Sequence, residues 1–94
     1  MTDSQITKCK EIAIHYGIQS QSVVAVEELS ELQKAICKAY RSDFVDITSL
    51  QEEIADVQIM IEQIKYLYNL SNVSIKEVVD QKLKRQMNRI EGKE

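Results

Sequence analysis

Three features of the sequence predict an all-α fold, a helical bundle of about four helices. The 94 residues include no proline and only two glycines, too few turn residues for the frequent reversals of a sheet-rich chain. Apolar residues recur every three or four positions along most of the chain, the period of a helix with one face against a core. Thr48 stands three residues before Gln51, and Ser74 three before Glu77. At that spacing side chain and backbone cap each other at a helix start. The length corresponds to one domain, residues 1–94, and no linker or low-complexity stretch divides it.

The first predicted helix runs from about Asp3 to Tyr16, with Ile6, Cys9, Ala13 and Tyr16 on one face and Gly17 as its C-terminal stop. The second runs from about Ser22 to Tyr40 and ends at the polar stretch Arg41-Ser42-Asp43, with Phe44 and Val45 packing over the connection. A third starts near Thr48 and reaches Tyr68. Residues 69–72 form a turn, and a fourth helix runs from Ser74 to about Ile90, leaving the last four residues frayed.

Composition excludes several function classes. A net charge of −3 and a pI near 5.2 speak against a duplex-DNA-binding surface, which needs a basic face. Cys9 and Cys37 lie far apart in apolar helical patterns, as expected of buried reduced thiols in a cytoplasmic protein. The polar N-terminus has no apolar leader core, and no run is long enough to span a bilayer. His15 is the only histidine, so the paired ExxH motifs of a diiron carboxylate bundle are missing.

Two short segments resemble each other: Val26-Glu27-Glu28-Leu29-Ser30-Glu31-Leu32 and Gln51-Glu52-Glu53-Ile54-Ala55-Asp56-Val57. In each, an acid is followed by another at i+3, which puts both carboxylates near one helix face. Successive residues lie about 100° apart around a helix. Glu28 then falls among Val24, Ala25, Leu32, Ala35 and Ala39, and Glu53 among Leu50, Val57, Met60, Ile64 and Leu67. Both acids sit inside apolar stripes, with Glu31 and Asp56 on the same shoulder, roughly 60° away. Charges on a buried face are costly unless compensated, and converging carboxylates repel. A hard divalent cation resolves the conflict: Mg²⁺, or Mn²⁺, held by Glu28, Glu31, Glu53 and Asp56. Zinc fits poorly, because the set has no His or Cys.

These segments resemble the MazG family of all-helical nucleoside triphosphate pyrophosphohydrolases, related to the dimeric dUTPases. That family is marked by ExxE, a spacer and ExxD on consecutive helices; here the motifs are Glu28-Leu-Ser-Glu31 and Glu53-Ile-Ala-Asp56, 21 residues apart. The resemblance extends from about Gln21 to Ile90. It implies magnesium-dependent hydrolysis of a nucleoside triphosphate to the monophosphate and pyrophosphate, on a standard or damaged deoxynucleotide or on dUTP. It also implies that Lys82 and Arg85 on the last helix contact substrate phosphates across a subunit boundary. Arg89 continues their stripe, and Asp80 stands where many relatives carry Asn. Glu31 or Glu53 is the expected general base.

The alternative reading is a catalytically inactive helical interaction module whose acids form ion pairs. Lys34 and Lys38 are placed for such pairing with Glu27 and Glu31. Under either reading, Leu29, Ile36, Ile54 and Ile61 extend the apolar surface of helices two and three beyond what one partner helix covers. A homodimer is the expected minimum unit, with four-helix cores built from two chains, and the family resemblance suggests a tetramer. No nucleic-acid or membrane partner is expected.

Overall fold

The computed structural model describes residues 1–41 and 46–93. It contains three helices, α1 (Asp3–Arg41), α2 (Ile47–Leu67) and α3 (Asn72–Ile90), and no strand among the described residues. The all-helical expectation therefore holds, with three elements in place of four. The first two expected helices are joined through Gly17, whose backbone (φ 85°, ψ 171°) is non-helical. A residue without Cβ reaches this conformation at little cost. The change of direction is confined to one position, and helix resumes at Ile18 without the expected loop. The readings on Ser42, Asp43, Phe44 and Val45 lie outside the described residues.

The helix starts are set by short polar side chains, not always the expected ones. Thr2 and Gln5 cap α1 reciprocally: the Thr2 backbone N–H donates to Gln5 Oε1 (2.8 Å), and the Gln5 N–H to Thr2 Oγ1 (3.1 Å). At α2 the cap is Asp46, not Thr48; its carboxylate accepts the Ser49 N–H at 3.0 Å. At α3 it is Ser71, not Ser74, accepting the Ser74 N–H at 3.3 Å. The first helix thus begins at Asp3 as expected, and α2 and α3 begin one and two residues earlier than expected, at Ile47 and Asn72. The end of α3 is closed rather than frayed: Gly92, at φ 71°, lets the Lys93 N–H reach the Asn88 carbonyl at 2.8 Å.

The core lies between α1 and α2, and after Gly17 α1 runs antiparallel to α2 as a hairpin: Gln21 meets Gln63, and Glu28 meets Glu53 and Asp56. Cys9, Ala13 and Ala25 of α1 and Val57 and Met60 of α2 are buried. The small α1 residues let the two backbones approach closely. Cys37, expected to be buried, is exposed. In contrast, α3 buries no residue fully and touches the hairpin mainly at its start, where half-buried Ile75 borders an apolar groove beside Ala25, Leu29 and Ile61. No helix among the described residues is long and apolar enough to cross a membrane.

One polar pair crosses the core. Gln21 Nε2 donates to Gln63 Oε1 at 2.8 Å, and both side chains are buried. A buried amide without a partner costs about 1–3 kcal/mol, whereas replacing both members by apolar groups is nearly neutral. Gln63→Leu or Gln21→Leu alone should therefore lower stability by about 1–3 kcal/mol in urea unfolding. The double replacement should recover most of that loss, and a strictly additive double mutant would show that the pair is not coupled.

Candidate metal centre

The hairpin brings the two acidic motifs face to face. One carboxylate oxygen each from Glu28, Glu53 and Asp56 lies within 4.8 Å of the other two. Glu28 and Glu53 are half-buried and Asp56 is exposed, so the trio opens to solvent on one side. Glu53 Oε2 is buried and has no hydrogen-bond partner. Such an atom carries a desolvation cost that nothing within the chain offsets.

Proximity changes the acidity of the site. The Glu28 carboxyl is pushed above its usual range, first by desolvation, then by the negative charges of Asp56 and Glu53, with a hydrogen bond to Asp56 and the charge of Glu31 adding further. Every charged side chain acting on Glu28 is thus a carboxylate. A carboxyl whose pKa is higher folded than unfolded binds more protons in the folded state across that interval. The metal-free chain should then be more stable in acid, losing stability as pH rises above about 4.3, the ordinary glutamate value. Thermal midpoints with a chelator present should fall over this interval, and Glu28→Gln should flatten the fall. An unchanged slope in that variant would assign the effect elsewhere.

Glu31, expected as a fourth ligand, is not part of the trio. Its side chain is 53% exposed and pairs with Lys34 at 3.6 Å along the same helix. That surface pair contributes little, at most about 1 kcal/mol, so it restrains Glu31 only weakly. Lys82 and Arg85 lie on exposed α3 positions, outside the carboxylate trio.

The donor set fits a hard cation. It consists of carboxylate oxygens alone, the chemistry that Mg²⁺ and Mn²⁺ prefer. Two oxygens bound to one Mg²⁺ stand at most about 4.2 Å apart, so small side-chain rotations, easiest at exposed Asp56, bring the trio into range. The buried Glu53 oxygen would gain the partner it lacks. Gln63 was missed in the sequence reading, although the signal was the one that marked Glu53: a polar residue on the α2 face that also carries Met60 and Leu67.

Comparison of the chain with protein-family models, with curated proteins and with solved structures gave no match.

Proposed function

We propose that this chain is a metal-dependent nucleoside triphosphate pyrophosphohydrolase, cleaving its substrate to the monophosphate and pyrophosphate. The observation that carries the reading is the convergence of Glu28, Glu53 and Asp56 from two helices, around a buried carboxylate oxygen with no partner. A triphosphate carries about four negative charges near neutral pH, so an acidic site must receive it through a cation. Glu28, Glu53 and Asp56 would hold that ion, with Glu31 joining by rotation away from Lys34. Mg²⁺ bound there neutralises phosphate charge and acidifies a nearby water.

The chain's own residues supply the rest. Glu53 belongs to the trio and has no lysine or arginine of the described residues paired with it, and so suits proton removal from the attacking water better than Glu31, which pairs with Lys34. As water attacks, the phosphoanhydride bond breaks and pyrophosphate departs with its electron pair. Lys82 and Arg85 are the proposed contacts for that leaving group. Pyrophosphate release measured with Mg²⁺ across standard, damaged and uracil deoxynucleoside triphosphates tests the reading. No turnover on any of them would sink it.

One observation favours a second reading. The Glu28 carboxyl, held above its usual range beside Asp56 and Glu53, keeps a proton more readily, and that proton lowers the cost of their proximity without any cation. In that case the chain is a catalytically inactive helical interaction module. Its thermal midpoint would then be insensitive to Mg²⁺ at constant ionic strength.

A further inference from the structure

The amphipathic helix α3 turns to solvent the side that its sequence suits for burial. Ile75, Val79, Leu83 and Met87 recur every four residues and form one ridge along it, with Ile90 beside the ridge. Ile75 is half-buried, whereas Val79, Leu83, Met87 and Ile90 are between 46% and 78% exposed. The hairpin carries a matching face. Its apolar groove, near 290 Å³, lies between Ala25 and Leu29 of α1 and Val57 and Ile61 of α2, with Leu70 and Ile75 at its border. Beyond the groove Ile36, Ile54 and Ile47 continue the face, between 42% and 63% exposed.

Three observations identify α3 of the same chain as what covers this face. The first is continuity. Leu70 and Ile75 already border the groove, so α3 starts at one end of the face and has only to swing down along it. The second is register. At about 1.5 Å per residue, Leu83 and Ile90 stand about 12 and 22 Å from Ile75 along α3. Running antiparallel from the same end, Ile54 and Ile47 stand about 10 and 21 Å from Ile61 along α2. The third is reach. Residues 68–71 link α2 to α3, a length that joins antiparallel neighbours in helical bundles. Within that link Asn69 is the one non-glycine described residue with a positive φ, 53°, and rotation of its backbone redirects the whole of α3. Closure also has a driving force. A compact chain of 10.8 kDa exposes about 5,500 Å², whereas this one exposes 7,647 Å².

We propose that α3 is a hinged strap that closes onto its own hairpin, seating the ridge of Ile75, Val79, Leu83 and Met87 on the face of Leu29, Ile36, Ile54 and Ile61 and completing a bundle within one chain rather than between two. Lys82, Arg85 and Arg89 lie about 80–140° round from the middle of the ridge, so closure leaves them at its flank. The device is independent of catalysis, and its test uses no turnover. In the full chain with Cys9→Ala and Cys37→Ser, Ile54→Cys and Leu83→Cys are introduced together and oxidised at about 1 μM. A disulfide needs Cα atoms within about 7 Å, a separation reached only with α3 laid along α2. The expected product is an internal disulfide that runs at the monomer mass. Val23→Cys with Leu83→Cys, the former at an exposed position on the far side of α1 from α2, should give none. In the otherwise unaltered chain, Leu83→Lys should lower the thermal midpoint by about 8 °C or more, equally at about 1 and 100 μM, because a seated leucine is lost. At a position that stays in solvent the same change moves it by less than about 4 °C. Absence of the internal disulfide, a disulfide formed only between chains, or a midpoint that Leu83→Lys leaves within 4 °C would each overturn the proposal. A link between chains would seat the face on a second copy instead.

Discussion

Glu53→Gln is expected to reduce pyrophosphate release by about 100- to 10,000-fold, the range that removal of a positioned proton acceptor costs, while leaving the fold intact. The substitution keeps the shape of the side chain and deletes only its charge. Glu53 sits half-buried beside Glu28 and Asp56 with a buried oxygen that no donor satisfies. In the metal-free chain, loss of that charge relieves repulsion, and the amide adds a donor where only acceptors converge. Glu53→Gln should therefore be at least as stable as the wild type without metal, even as turnover disappears. This pairing of outcomes separates a catalytic centre from a structural cluster. A variant that is both unstable and inactive would point to a packing role, and full activity in a stable variant would remove Glu53 from the mechanism.

Saturating Mg²⁺ or Mn²⁺ should raise the thermal midpoint by about 10–20 °C at fixed protein concentration. A ligand at about 100 times its dissociation constant stabilises the folded state by about 2.7 kcal/mol, and for a chain of this length each kcal/mol moves the midpoint by about 4–8 °C. The physical origin is again the trio: desolvation, then the charges of Asp56 and Glu53, hold the Glu28 carboxyl above its usual range, and a cation converts that repulsion into attraction. The increment should vanish in Glu53→Gln and shrink in Asp56→Asn. It should shrink least in Glu31→Gln, because Glu31 starts outside the trio, paired with Lys34, and reaches the ion only after leaving that pair. An equal increment in all three variants would show that the metal acts by general screening at the surface.

How far the candidate site was legible depended on which coordinate mattered. The angular position of each acid around its own helix follows from a fixed rotation per residue. Glu28 and Glu53 could accordingly be placed inside apolar stripes, and the structure has both half-buried and adjacent. Which acids then meet is a matter of the rotation and axial offset of α1 against α2. Side-chain packing across the hairpin decides this, and it brought Asp56 in while leaving Glu31 beside Lys34. The same limit applies to Lys82 and Arg85: their common stripe is local, but where α3 lies is not.

By itself the sequence determined the all-helical class, the approximate helical segments and the phase of the acidic pairs on their apolar faces. These follow from local steric and hydrogen-bonding preferences and from a 3.6-residue period that acts within a few turns. Tertiary structure alone decided four things: the confinement of the first break to Gly17, the buried Gln21–Gln63 hydrogen bond, the exclusion of Glu31 from the trio, and the limited contact of α3 with the hairpin. Each depends on contacts between residues distant in the chain, or on a dihedral angle that only glycine adopts readily, and neither is encoded in the periodicity of one helix.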